Sequence, residues 1–303
     1  MSIHELDTNE LPDGVTMVST ETEFCNCSWL HIEDENGVEA MGRPIGNYIT
    51  IETAILEHGK MGDSEEIART VSDFLLKLMN VSDDDLILVV GIGNRNVIAD
   101  SLGVCVADKV VPTNHVLDEL NEKFGTTSIR RVSVISPGVM GTTGMSTAEI
   151  IRSLCDEMKP SLVILVDSLA AIKTHRLYST IQITDTGLTP SGGMGNKNAR
   201  TINSDYLGVP VIGIGVPMVI SVANIMIDFM GSSYSQAYAG KELEDWMIEH
   251  INEYADALFP SSSSFVAVKE IEIAVQHSAH IISTAINMTM FQDEWMQMPN
   301  INI

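Results

Sequence analysis

Apolar positions in this chain gather into short unbroken runs, with stretches of helical period between them. Leu86 to Val90 is a five-residue run bearing Val and Ile, preceded by Asp83, Asp84 and Asp85. Leu162 to Val166 and Pro210 to Val216 repeat the form, which predicts strands buried on both faces of a sheet. Arg131 to Ile135 reads as a further strand, and Thr180 to Thr184 alternates as a strand does. Nearer the start, Ser28 to Ala54 predicts two strands joined by a turn at Asn36-Gly37.

The helical stretches alternate with these strands. Ile67, Val71, Phe74, Leu75 and Met79 share one face of a helix over 63–79. Short helices are predicted over 101–109 and from Ser168 to about Ser179, and a capped one from Ser146 to Met158, which Pro160 stops. Val219–Met230 is an apolar segment, and helices over 235–258 and 268–290 close the chain around a Pro/Ser linker at 260–264. Strands alternating with helices predict a three-layer α/β fold: a mixed, mostly parallel sheet with helices on both faces. Residues 1–28, acidic and without a period, read as a loosely ordered leader and possible propeptide, with 29–303 a single α/β domain ending in helices.

Composition narrows the function classes. At 303 residues and 45% apolar, the chain buries a sizeable core. Its 41 acidic and 17 basic side chains give a charge of −24, which opposes direct binding to nucleic acid or to an anionic membrane surface. Four cysteines suit a reducing compartment, and Cys25-x-Cys27 has no second pair to complete a zinc set. No apolar run approaches eighteen residues and no secretory leader opens the chain, so a cytoplasmic protein is expected.

Most catalytic patterns fail on inspection. Gly91-x-Gly93 lacks the third glycine of a dinucleotide fingerprint, Asn96 standing there, and SGGMGNK lacks P-loop spacing. There is no G-x-S-x-G elbow, and His277 and His280 belong to no H-E-x-x-H. Neither metal nor cofactor is expected. What remains is a pair of carboxylates, Asp100 and Asp167, each just beyond a buried strand, where catalytic groups of open α/β sheets collect. Two carboxyls sharing a pocket cannot both ionise easily, so one serves as base and the other holds a proton, an arrangement able to set water on a peptide carbonyl. Either aspartate could equally cap the helix that follows its strand. The glycine-rich segments with Gly138, Gly141 and Gly193 could supply backbone N–H donors to an oxyanion or an extended peptide, or serve as turns.

Five blocks in order, GIGNRNVIADSLG, SPGVMGTTGMSTAEIIR, KPSLVILVDSLAA, TIQITDTGLTPSGGMGNK and LGVPVIGIGVP, resemble the germination protease (spore protease) family of endospore-forming bacteria. The resemblance implies an endopeptidase that degrades small acid-soluble spore proteins during germination, inside the developing spore and spore core. It also implies a self-processed zymogen, a homotetramer, an atypical aspartic-type mechanism and a fold similar to hydrogenase maturation proteases. The family's proposed catalytic aspartates match Asp100 in NVIADSLG and Asp167 in VDSLAA. In maturation proteases acidic residues at similar places bind metal, so a metal-dependent processing peptidase is one alternative, and a non-enzymatic spore protein that kept the fold is another. The family's T-D-L-A processing sequence is missing here. Glu23-Phe24, an acidic residue before a large apolar one, is the candidate self-processing site in its place.

Overall fold

The computed structural model describes residues 11–58, 61–117, 119, 122, 129–190, 200–238, 243–258 and 264–291. Nine strands form one sheet in the order β1-β2-β3-β7-β8-β6-β4-β5, with β9 pairing the end of β8. They are β1 Val15–Glu21, β2 Asn26–Ile32, β3 Gly46–Glu52, β4 Leu86–Gly91, β5 Arg131–Ile135, β6 Leu162–Ala171, β7 Thr180–Thr184, β8 Val211–Ser221 and β9 Phe265–Val266. The neighbours β8-β6-β4-β5 run parallel, whereas β1-β2-β3-β7 and the β7–β8 pair are antiparallel. The parallel strands are the continuous apolar runs of the sequence, because helices cover both of their faces.

The helices are α1 Glu35–Met41, α2 Ile55–His58, α3 Met61–Leu78, α4 Leu102–Ala107, α5 Met140–Thr143, α6 Thr147–Met158, α7 Ser204–Leu207, α8 Val222–Ala237, α9 Asp245–Leu258 and α10 Ile271–Phe291. Ile87, Val89, Ile164 and Val166 face α3, α4 and α10 in the larger core cluster. The alternate residues Leu88, Val90, Val163 and Leu165 face α6 and α7 on the other side. The period-2 alternation of a strand thus feeds two cores from one run. From Ile281 to Phe291 α10 is almost wholly buried, packed against α3 and α4, whereas Glu272, Gln276 and His280 nearer its start are exposed. Its polar Asn287 is satisfied there: Nδ2 donates to Lys109 O at 3.0 Å and Oδ1 accepts from Val111 N at 3.0 Å.

Several expectations change. Within the expected leader, residues 15–21 and 26–28 are in paired strands, and β2 runs across the expected boundary at 28/29 into the strand expected after it. Their pairing to β3 stabilises a segment whose own pattern is weak. Asn36-Gly37 is no hairpin turn: Asp34 Oδ1 accepts from Asn36 N and Gly37 N and caps α1, and that helix links β2 to β3. The stretch after Asp167 is not helical. β6 continues to Ala171 because β8 runs beside it as far as Ile220, with a bulge between Leu169 and Ala170. The helix expected over 235–258 is two, α8 ending at Ala237 and α9 starting at Asp245.

β4 stops at Gly91 while β6 and β8 run on, leaving a notch in the sheet at their carboxyl ends. The 3-10 turn Ile98–Asp100 and the start of α4 fill it. The filling is close: a Cβ at Gly103 would lie 2.2 Å from Val166 O and 2.3 Å from Ile92 O. Gly103→Ala is therefore expected to destabilise the protein by about 1–3 kcal/mol, since backbone rather than a flexible side chain must give way. Equilibrium denaturation checks it, and an unchanged midpoint would count against this packing.

Candidate active site

Asp167 sits on β6 just beyond the point where β4 ends: Gly91 pairs with Val166, and Ile92 N donates to Val166 O at 2.8 Å. It is 4% exposed, and its Oδ1 accepts from its own neighbour's Ser168 N at 2.8 Å. Burial pushes its carboxyl up from 3.8 to about 8; the Asp100 charge adds to the rise, and the Ser168 N–H opposes it. The group is thus a neutral acid at neutral pH.

Asp100 closes the 3-10 turn against β6 and β8 and is half-buried. Its carboxyl too is raised by burial, offset by the backbone N–H of Asn94. That N–H donates both to Asp100 O at 2.8 Å and to Asp100 Oδ2 at 3.0 Å. Gly93 makes the loop possible: its φ is +134°, and a Cβ there would fall 2.0 Å from Asp100 O. Arg95 holds the outer part of the loop through two bonds to Asp108, at 2.6 and 2.9 Å. The two carboxyls read from the sequence are therefore brought to one notch, close enough for one charge to shift the other. Neither acts as an N-cap by side-chain bonding.

Gly138 and Gly141 lie beyond β5 at the same sheet edge, Gly138 with φ +75° and Gly141 in the exposed turn of α5. Gly193 lies outside the described residues. Glu23 and Phe24 occupy the turn between β1 and β2, where Thr22 N donates to Cys25 O at 2.9 Å and Phe24 O accepts from Thr53 Oγ1 at 2.8 Å. That turn is on the carboxyl edge of β6, but four strand spacings, about 19 Å, away from it. No group of three or more His, Cys, Asp or Glu able to hold a metal occurs among the described residues.

Pattern reading missed the surroundings. Ser168 Oγ is buried beside Asp167 with no partner among the described residues. On the face that Asp167 shares with Leu169, a groove of about 350 Å³ runs between Leu169, Gln182, Thr50, Leu188, Thr201 and Arg43. These residues come from four separate stretches of the chain, so no local spacing could reveal them. Leu169 lies flat enough to line the groove because Gly215 is beneath it, where a Cβ would meet Leu169 Cγ at 2.5 Å.

A carboxyl protonated in the fold and ionised in the unfolded chain lowers stability as pH rises from its ordinary value toward its folded one. Asp167→Asn removes that effect. The variant is expected to match wild type below about pH 4 and to exceed it increasingly up to pH 8, with about 2–4 °C in Tm for each kcal/mol relieved. Thermal unfolding across that range checks it, and parallel curves for the two proteins would exclude a buried neutral Asp167.

Comparison with known proteins bears on the same residues. The family described as Germination protease matches residues 3–269. The germination protease of Caldanaerobacter subterraneus is 36% identical over 291 residues, covering 93% of this chain and 89% of its own. That of Clostridium perfringens is 36% identical over 290 residues, covering 92% and 88%. The Priestia megaterium protein is 34% identical over 261 residues, covering 85% and 68%. Among solved structures, a NiFe hydrogenase maturation protease, HycI from Thermococcus kodakarensis, aligns with a TM-score of 0.32 and 14% identity over 70% of this chain and 98% of its own. Among the described residues no helix is long and apolar enough to cross a membrane. Matched along nearly its whole length, the chain belongs to the germination protease family and is a peptidase.

Proposed function

We propose that this peptidase is an aspartic-type endopeptidase acting on small acid-soluble spore proteins in the spore core at germination. The observation that carries the mechanism is the pairing of two carboxyls in one notch with unequal burial: Asp167 buried and raised to about 8, Asp100 half-buried beside it and raised as well. Environment thus divides the roles. Asp100, with its Oδ2 held by the Asn94 N–H, takes a proton from water as the water oxygen attacks the scissile carbonyl carbon. Asp167 gives its proton to the carbonyl oxygen, so the tetrahedral intermediate forms without a separated charge in a desolvated site. Proton return through the pair to the amide nitrogen then lets the C–N bond break. No metal enters these steps.

Self-processing at Glu23-Phe24 fits this mechanism only between copies of the chain, given about 19 Å between that turn and β6. A homotetramer is one way to bring copies together. The rate of any such processing is expected to rise with protein concentration, followed by N-terminal sequencing over a dilution series. Concentration-independent cleavage, or none, would remove the proposal.

A purified small acid-soluble spore protein, incubated with each variant, tests the main reading. Asp100→Asn and Asp167→Asn are each expected to lower the cleavage rate by about 10²-fold or more while keeping a cooperative unfolding transition. For wild type, activity should fall as pH rises through about 8, where Asp167 loses its proton. A chelator is expected to leave the rate unchanged. Near-normal cleavage by both variants would rule out the aspartic pair, and chelator-sensitive cleavage would favour the metal-dependent alternative.

A further inference from the structure

Arginine partners divide this molecule in a way its net charge does not suggest. Arg69, Arg95, Arg130 and Arg176 each lie within 4.0 Å of a carboxylate, on Glu65, Asp108, Asp83 and Glu52. Arg43, Arg152 and Arg200 instead lie over tyrosine rings. Arg43 Cζ is 5.3 Å from the Tyr48 centroid, and Arg152 and Arg200 are 5.2 and 4.9 Å from that of Tyr206. Among the described residues none of the three forms an ion pair with a carboxylate. With 41 acidic side chains in the chain, three guanidiniums kept apart from them call for an account.

All three occupy one face of the sheet. Arg152 is on α6, whose buried residues pack on that face, and Tyr206 on α7 packs against the same cluster. Arg200 precedes Thr201, which lines the groove together with Arg43. Asp185 is near Arg43, but its two oxygens accept from Asn47 N and Nδ2 at 2.8 and 2.6 Å. The groove also leads to the carboxyl pair. Thr50, Gln182, Gly215 and Asp167 are register partners across β3, β7, β8 and β6. Three strand spacings make about 14 Å, or roughly four residues of extended chain.

From this arrangement we infer that the groove and its three arginines are the docking track for an acidic stretch of the polypeptide substrate, lying a few residues from the bond cut at Asp100 and Asp167. The inference rests on the peptidase reading above. Each guanidinium is positioned by ring stacking while its N–H donors stay open to a side-chain carboxylate. Leu169 and Leu188 give the intervening apolar side chains a place to lie. A nucleic acid fits less well: three cations on a chain of −24 offer few phosphate contacts against strong overall repulsion.

The test is binding, read by fluorescence anisotropy on the full chain, in wild-type and Asp100→Asn backgrounds. The probes are a short unstructured peptide rich in Glu, its Gln counterpart and its Lys counterpart. The Glu peptide is expected to bind roughly tenfold tighter than the Gln peptide, with the difference shrinking as salt rises. Combined Arg43→Gln, Arg152→Gln and Arg200→Gln should remove that preference, and the three Glu replacements should turn it toward the Lys peptide. With the spore-protein substrate, the Gln variants should raise KM and leave kcat near wild type. Thermal unfolding reports whether the combined variant folds, and the single variants, each at a partly or fully exposed side chain, carry the same comparison if it does not. Equal binding of Glu and Gln peptides, or a preference surviving in a folded triple variant, would overturn the inference. So would a DNA duplex that competes better than the Glu peptide. A wild type that cleaves the spore protein but shows no Glu preference fails the docking inference alone, whereas cleavage surviving in both Asp variants with the preference intact fails the aspartic reading alone.

Discussion

A carboxyl group cannot be taken out of water without a change in its chemistry, and the placement of Asp167 turns on that constraint. Its position is made by unequal strand lengths: β4 ends at Gly91, and β6 continues to Ala171 beside β8. A continuous sheet would have paired the backbone there and left no place for a second acid. Instead the turn at Ile98–Asp100 and the glycine contact of α4 on Val166 O seal the notch with backbone and one carboxyl. Sealing takes Asp167 out of water, burial raises its carboxyl, and the charge of Asp100 beside it adds to the rise.

Such a site is held at a cost in stability that the rest of the fold offsets. Burying an acid in neutral form is far less unfavourable than burying its anion, yet it leaves the folded state weaker at alkaline pH. The layers around the notch are correspondingly apolar: Ile87, Val89, Ile164 and Val166 on one face, Leu88, Val90, Val163 and Leu165 on the other. α10 adds a largely buried helix whose buried polar side chains are paired: Asn287 Nδ2 donates to Lys109 O, and the Thr289 hydroxyl pairs with that of Ser72 on α3. The parallel half of the sheet thus holds the carboxyl pair. The antiparallel wing of β3 and β7 supplies the groove beside it.

Negative charge is spread so widely along this chain that its average says little about any one surface. The groove face is the exception, because aromatic rings rather than carboxylates hold its arginines. A net charge governs long-range repulsion and solubility, whereas recognition depends on which charges are left uncompensated at contact distance.

How much of this was legible beforehand depended on the range of the interactions involved. The parallel strands were readable to within a residue or so at their starts, since a doubly buried strand must be apolar throughout. Asp100 and Asp167 were identifiable as pair candidates because each stands just past such a run. Their division into acid and base was not, since burial comes from elements distant in sequence. The continuation of β6 past Asp167 was hidden as well: SLAA has no strand preference of its own, and only the neighbouring β8 makes it extended. Asn36-Gly37 misled for the opposite reason, a strong local turn signal outweighed by the Asp34 cap and by packing of α1. Local pattern determined which segments are strands, which are helices and which carboxylates follow them, because those choices depend on neighbours a few residues away. Tertiary structure alone decided how deeply each acid is buried and which arginines, among the described residues, lie over rings rather than beside carboxylates, because desolvation and charge pairing are set by whatever the fold brings alongside.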